Sequence, residues 1–169
     1  MKKYSTIAFI AILLTFTSLH AQTEGVPFRS LDKMMAERAK WDDDIGEVAY
    51  VGSRCSALFL TVGGYFISNG TKPSDKLNGE DLRSRSSVIM MASIILGKLS
   101  KLEEQDTQNR IKVFLELYTK KMADNKLLLN SALETPIFDD LKFCNQYEQN
   151  YIKIYQMYEN EVEKSKRKK

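Results

Sequence analysis

Two cysteines and one histidine are the residues of this sequence that most directly suggest chemistry. The histidine, His20, lies in an apolar leader, whereas Cys55 and Cys144 lie in the body of the chain. Triads of the Ser-His-Asp or Cys-His kind need an imidazole base, and many zinc sites need an imidazole ligand. Once the leader is removed, the chain lacks an imidazole for either purpose. The sequence therefore predicts no catalytic residue, no metal ligand and no cofactor.

The two cysteines stand 89 positions apart, and they do not form a Cys-x-x-Cys motif. An even number of cysteines in an exported protein indicates a disulfide. We therefore predict a structural bridge between Cys55 and Cys144. In the chain-entropy model such a bridge contributes about 4–5 kcal/mol, less any strain in the native state. Two free thiols, or a link between two chains, are the alternatives.

Carboxylates are the remaining candidates for acid–base catalysis. Glu47, Glu116, Asp139 and Asp140 each occur where the helical pattern places solvated charge, so we expect no two of them to share a cleft. A hydrolase that uses carboxylates alone is therefore the last-ranked function. The run 42–44 is entirely acidic, but it lacks the alternating ligands and the glycine of a calcium loop, and it is predicted to cap a helix.

Tyrosines recur along one face of the last predicted helix, at Tyr147, Tyr151, Tyr155 and Tyr158. Such a stripe could form a binding face, because tyrosine combines a flat apolar body with a polar tip. The favoured interpretation is a core edge whose hydroxyls reach water. A carrier function would place a small apolar ligand between helices, near Tyr118, Tyr151 and Tyr155.

Positive charge is concentrated at the C-terminus. This basic tail could contact an anionic membrane or lipopolysaccharide, or it could be a solvated helix end that complements the helix dipole. Nucleic acid is the least favoured partner. The residues of the tail are Lys164, Lys166, Arg167, Lys168 and Lys169.

The first residues predict the compartment. Lys2 and Lys3 precede a short apolar core at 7–14, and Leu19-His20-Ala21 follows, which is typical of a bacterial secretory signal peptide cleaved near Ala21. An apolar run this short does not reach the roughly 20 residues that span a bilayer. We therefore expect a periplasmic or secreted protein. Cleavage would leave 23 basic and 22 acidic side chains, and without the tail 18 basic and 22 acidic ones.

The residues discussed above are predicted to lie on helices, because no stretch alternates apolar and polar residues with the two-residue period of a strand. Ser30 is predicted to cap a short first helix that holds Leu31 and Trp41. A second helix runs from Ile45 to about Phe66. Cys55 lies there among small residues that would let another backbone approach closely, and these are Ala49, Gly52, Ser53, Ser56 and Ala57.

The polar stretch 68–79 contains two Asn-Gly pairs and is predicted to be a surface loop. Glu80 and Asp81 favour the start of a third helix, which ends near Leu99. Its centre, 88–96, is almost entirely apolar. We therefore expect this helix to be the central element of the core.

A charged turn is predicted at 101–106, and a fourth helix then carries an apolar stripe from Ile111 to Leu129. Thr135 is expected to cap the last helix, with Pro136 at its first position. That helix keeps one apolar and aromatic face as far as Val162.

The sequence as a whole predicts an all-α fold, a bundle of four main helices with a shorter N-terminal helix, stapled by one disulfide. We expect a signal peptide at 1–21, a disordered lead-in at 22–29, a helical bundle domain at 30–163 and the basic tail at 164–169. The leading hypothesis is an exported non-enzymatic domain that binds another envelope or secreted protein. The carrier of an apolar ligand is the alternative.

Overall fold

A computed structural model describes residues 28–167. The predicted signal peptide, most of the predicted lead-in, and Lys168 and Lys169 lie outside these residues. The described part is all-α, as predicted. A 3₁₀ turn at Trp41–Asp43 accompanies five helices, which are α1 (Leu31–Ala36), α2 (Ile45–Asn69), α3 (Pro73–Leu99), α4 (Glu104–Leu129) and α5 (Ile137–Arg167).

Helix α2 is the central element, and the expectation that α3 would be central is wrong. The other long helices all pack against α2, whose middle third is buried on every side. Helix α3 instead keeps one side in solvent, where Met91 is 41% exposed. An apolar run can therefore mark a helix that is covered on one side, whereas small side chains allow a helix to be surrounded.

Asp44 caps the start of α2, as its place in the acidic run predicted. One of its carboxylate oxygens, Oδ1, accepts hydrogen bonds from the backbone amides of Gly46 at 2.8 Å and Glu47 at 3.2 Å. These amides lack partners within the helix, and an acidic side chain also complements the positive end of the helix dipole. Gly46 therefore lies in the first turn of α2, and the helix runs on without a break to Asn69.

Helices α2 and α3 run in opposite directions and approach closely along their small residues. Ser86 Oγ donates to the Ser56 carbonyl at 2.8 Å, and Ser56 Oγ lies 3.1 Å from the Ser86 carbonyl. A Cβ atom added to Gly63 would lie 2.7 Å from the carbonyl oxygen of Gly79. The small residues thus bring the two backbones together, as the spacing predicted.

The predicted disulfide joins Cys55 of α2 to Cys144 of α5, with 5.4 Å between their Cα atoms. Helix α5 runs antiparallel to α2, because the next pair along, Tyr151 and Val48, lies further toward the start of α2. Helices α4 and α5 contact each other much less than either contacts α2. The bridge therefore fixes the register of the last helix on the central one.

The loop predicted at 68–79 is wrong in extent, because α3 already begins at Pro73. The Asp75 side chain accepts a hydrogen bond from the Lys72 amide at 3.1 Å and so closes the first turn of α3. Gly79 lies within α3. Because it has no side chain, the backbone of Gly63 can approach it closely. An Asn-Gly pair, usually a turn signal, here serves helix packing.

Other boundaries also differ from the prediction. Helix α1 ends at Ala36, so Trp41 lies outside it in the 3₁₀ turn, and the Ser30 side chain makes no cap hydrogen bond. Helix α4 begins at Glu104, inside the predicted turn. Helix α5 begins at Ile137, and Pro136 supplies the carbonyl that accepts the first helical bond, from the Asp140 amide at 3.0 Å. Phe28, assigned to the disordered lead-in, packs against the bundle.

Neighbouring glycines of α2 provide a test of the close packing between α2 and α3. We expect Gly63→Ala to lower the free energy of unfolding by about 1–3 kcal/mol, because the new methyl group overlaps the Gly79 carbonyl. Gly64→Ala should raise it by about 0.5–1 kcal/mol, because a Cβ there meets nothing within 4 Å and alanine favours the helix. Urea unfolding of both variants measures the difference. Equal effects would contradict this packing.

Candidate functional site

A buried ion pair joins three elements of the bundle beside the disulfide. Arg54 of α2 and Asp140 of α5 have side chains that are 3% and 0% exposed, with 2.8 Å between Nη2 and Oδ2. Arg54 Nε also donates to the Tyr118 hydroxyl of α4 at 2.9 Å, and that hydroxyl donates to Asp140. The expectation that Asp140 would be solvated is therefore wrong.

The same ion pair holds the N-terminal segment against the long helices. The Leu31 amide donates to the second carboxylate oxygen of Asp140, and Arg54 Nη2 also donates to the Arg29 carbonyl. The Phe28 ring stacks under the guanidinium, with 4.6 Å from its centroid to Arg54 Cζ. Buried charges need such partners, because an unpaired one carries the full cost of desolvation.

The protonation of this cluster follows from its burial and its charges. Burial raises the pKa of the Tyr118 hydroxyl well above its ordinary value, so the phenol stays neutral. Burial also raises the pKa of Asp140, and the Arg54 charge opposes that effect. For the Arg54 guanidinium, burial acts to lower the pKa, but Tyr118 and Asp140 more than offset it. The cluster therefore contains a permanent cation.

A signal for this cluster was present in the sequence. Arg54 immediately precedes Cys55, and Asp140 lies four residues, about one helical turn, before Cys144. A disulfide between the two cysteines brings those neighbours together on adjacent helices. The amphipathic pattern by itself could not show this, because it treats every charged residue as a surface residue.

A second ion pair joins α3 to α5. Arg85 Nε donates to Glu148 Oε1 at 2.6 Å, and the guanidinium also contacts the other carboxylate oxygen. Its Cζ lies 4.6 Å from the centroid of the Phe59 ring. The sequence analysis did not identify this pair. In both clusters the charges are paired within the fold, which makes them anchors of the bundle.

The four tyrosines of the possible binding face on α5 differ in how deeply they are buried. Tyr147 packs edge-on against Trp41, and Tyr151 is buried and donates to the Val48 carbonyl at 2.9 Å. Tyr155 donates to Glu159, while Tyr158 is 48% exposed. The stripe therefore changes from core to surface along α5. Of the three tyrosines near which a carried ligand was expected, Tyr118 and Tyr151 are buried and Tyr155 is partly exposed.

Part of the predicted basic tail belongs to α5. Lys164, Lys166 and Arg167 occupy its last turns and are exposed. Lys164 pairs with Glu161 at 2.7 Å, and Arg167 lies 3.7 Å from Glu163. These exposed pairs contribute little to stability, and a tail contact with an anionic surface stays a prediction.

Two cavities flank α4. The first, here called the α2–α4 hollow, has a volume of about 450 Å³, and its walls are mainly apolar. The second, the Arg54 cavity, has a volume of about 590 Å³ and lies between α2, α4 and the N-terminal segment. The side chains that line the α2–α4 hollow include Leu60, Tyr65, Leu115, Met122, Lys126 and Ala132.

An exposed leucine run lies beside the α2–α4 hollow. Leu127, Leu128 and Leu129 are 86%, 77% and 58% exposed. Lys126 and Ala132, on either side of the run in sequence, both line the hollow. Leu129, three residues after Lys126, lies on the hollow's side of α4, so the run and the hollow meet at that end of the helix. Sequence reasoning missed the run, because Leu129 was assigned to the apolar stripe and the two leucines before it were not considered.

Two general features of residues 28–167 complete the description. In this range no group of three or more His, Cys, Asp or Glu side chains is placed to hold a metal ion. Among the same residues, none of the helices combines the length and apolar character that a bilayer crossing needs. Comparison with protein-family models, with curated proteins and with solved structures finds no match to this chain.

The two adjacent aspartates at the start of α5 allow a matched test of the buried pair. We expect Asp140→Asn to lower the free energy of unfolding by about 3–5 kcal/mol, because it leaves the Arg54 cation buried without its counter-ion. Asp139→Asn, at a partly exposed position, should cost less than about 1 kcal/mol through the helix dipole. Urea unfolding monitored by circular dichroism compares the two. Losses of similar size would contradict the anchoring role of the pair.

Proposed function

We propose that the protein is an exported, non-enzymatic binding domain, and that its binding surface is the leucine run together with the α2–α4 hollow. The observation that carries this proposal is the exposure of three consecutive leucines at the end of a helix. Exposed large apolar side chains clustered at one end of a helix commonly mark an interaction site. Covering one leucine contributes about 1.5–3 kcal/mol, so the run alone could supply much of a specific affinity.

The chemistry of this surface favours a protein segment as its occupant. Its walls are mainly leucine, methionine, alanine and tyrosine side chains, with threonine, serine and asparagine among them, and the apolar part suits the apolar face of a partner helix. Lys126 is the charged residue of the lining, and its Nζ lies 5.9 Å from the centroid of the Tyr65 ring. A partner segment with apolar anchors and an acidic residue opposite Lys126 would therefore fit best. Such a partner would be another envelope or secreted protein.

The rest of the bundle suits a binding role because it is rigid around this surface. The disulfide and the buried Arg54–Asp140 pair hold α2, α4 and α5 in one register. A preorganised surface loses little conformational entropy when a partner binds. The arrangement thus supports recognition by shape and apolar contact.

Site-specific photo-crosslinking tests the proposed surface. We expect a benzophenone amino acid at position 128 to form a covalent product with one partner protein in intact cells, because Leu128 lies in the proposed contact. The matched control is the same amino acid at Val113, which is 54% exposed on α4 but lies outside the hollow. No product at 128, or the same products at both positions, would contradict the proposal. A product with twice the mass of the chain would identify a second copy as the occupant.

Export is the other half of the proposal, and mass spectrometry of the protein from its native host tests it. We expect a mature chain that begins at Gln22, because the leader has the order of a cleavable signal peptide. Its mass should rise on reduction by that of the added hydrogens, since Cys55 and Cys144 are bonded. A cytosolic chain that retains residues 1–21 would contradict export.

A carrier of a small apolar ligand is the second candidate. The volume of the α2–α4 hollow, about 450 Å³, falls within the range of small-molecule sites. A carrier would hold its ligand in this hollow, a different site from the one expected near Tyr118, Tyr151 and Tyr155. Native mass spectrometry of freshly isolated protein distinguishes the two functions, because a carrier retains an adduct whereas a protein-binding domain shows the bare mass.

A further inference from the structure

The Arg54 cavity lies on the other flank of α4 from the α2–α4 hollow. Residues Phe114, Leu117 and Lys121 of α4 line it, whereas Leu115 and Met122 line the hollow. Its volume of about 590 Å³ is within the range that holds small organic molecules. The two cavities are therefore separate sites with different walls.

The Arg54 cavity is electropositive. Four of the side chains that line it are cations and one is a carboxylate, Asp124, while Asp140 outside the lining pairs with Arg54. Glu37 compensates one of these cations, Arg29, at the surface. Lys120 and Lys121 are adjacent on α4, and Asp124 follows one helical turn later. An anion entering the cavity would thus approach cations from more than one side.

Arg54 presents donors to this cavity that have only a weak acceptor. Its Nε and Nη2 atoms donate to oxygens of the buried cluster. Among the described residues, the hydrogen-bond partner of Nη1 is the sulfur of Met34, at 2.9 Å. A thioether is a poor acceptor compared with an anionic oxygen. Met34 also lines the cavity, and its unbranched side chain can move aside.

Aromatic and apolar side chains form the remaining walls. The rings of Tyr50 and Phe114 meet edge to face at 5.3 Å, and the Phe28 ring lies against the guanidinium of Arg54. Leu117 adds an aliphatic contact. These walls suit a flat apolar body, and the buried guanidinium suits an acidic group attached to it.

We propose that the Arg54 cavity is a binding site for a small organic anion with an aromatic or other flat apolar body. The acidic group replaces the Met34 sulfur on Arg54 Nη1, and Lys120 and Lys121 add long-range attraction. The apolar body lies between Phe28, Tyr50 and Phe114. This site is independent of the protein-binding surface proposed above, because it lies on the other flank of α4.

A pair of fluorescent probes tests the chemical class of the ligand. The mature, oxidised chain is titrated with anilinonaphthalene sulfonate and with phenylnaphthylamine, which has the same ring skeleton without the sulfonate. We expect saturable binding of the sulfonate, with an affinity at least about ten-fold higher than that of the neutral probe. Equal affinities, or no saturable binding of the sulfonate, would overturn the proposal.

Methionine methyl groups report which cavity the probe occupies in the unmodified protein. The resonance of the Met34 methyl, assigned with Met34→Leu, should shift and saturate with the sulfonate probe, because Met34 lines the Arg54 cavity. The Met122 methyl lines the α2–α4 hollow and should stay unchanged. A shift at Met122 without one at Met34 would overturn the assignment to the Arg54 cavity.

Two leucines of α4 provide matched variants for the same titration. Leu117→Glu places a bulky negative charge in the Arg54 cavity and should weaken sulfonate binding at least about ten-fold. Leu115→Glu makes the same change in the α2–α4 hollow and should leave the affinity within about two-fold. The reverse pattern would overturn the proposal. Should Leu117→Glu fail to fold, the methyl measurement on the unmodified chain still decides.

Discussion

A charged pair without access to water constrains how this bundle can assemble. Arg54 and Asp140 lie at the meeting point of α2, α4, α5 and the N-terminal segment, and each of those elements contributes a hydrogen bond to the pair. A carboxylate and a guanidinium lose several kcal/mol of hydration each when buried, and their mutual attraction together with further hydrogen bonds offsets that loss. The elements must therefore adopt this one arrangement together, with the adjacent disulfide holding the register.

Small side chains on α2 make the arrangement geometrically possible. A helix can be surrounded by others only if the neighbours approach closely, and Gly52, Ser56 and Gly63 permit that approach. Tyr151 crosses α2 at Gly52, and its hydroxyl reaches the Val48 carbonyl. Large side chains of the outer helices thus fill the core, and the small residues of the central helix leave room for them. This division keeps the interior filled.

The two flanks of α4 have different chemistry although they belong to one helix. The α2–α4 hollow and the leucine run are apolar with one lysine, which suits contact with a protein face. The Arg54 cavity combines cations with aromatic rings, which suits a small anion. Arg54 links the architecture to this second surface, since it anchors the fold through two of its nitrogens and faces the cavity with the third.

Local pattern in the sequence determined the helical class, the cap at Asp44 and the candidate disulfide partners, because periodicity, capping chemistry and cysteine count depend on near neighbours or on composition. Only the tertiary structure decided which helix is central, that Asn78-Gly79 lies within a helix, and that Asp140 is buried while Leu127 is exposed. Each of these depends on which faces of distant segments meet. An apolar or charged residue has the same local pattern whether or not another helix covers it, so burial is settled by contacts between residues far apart in the chain.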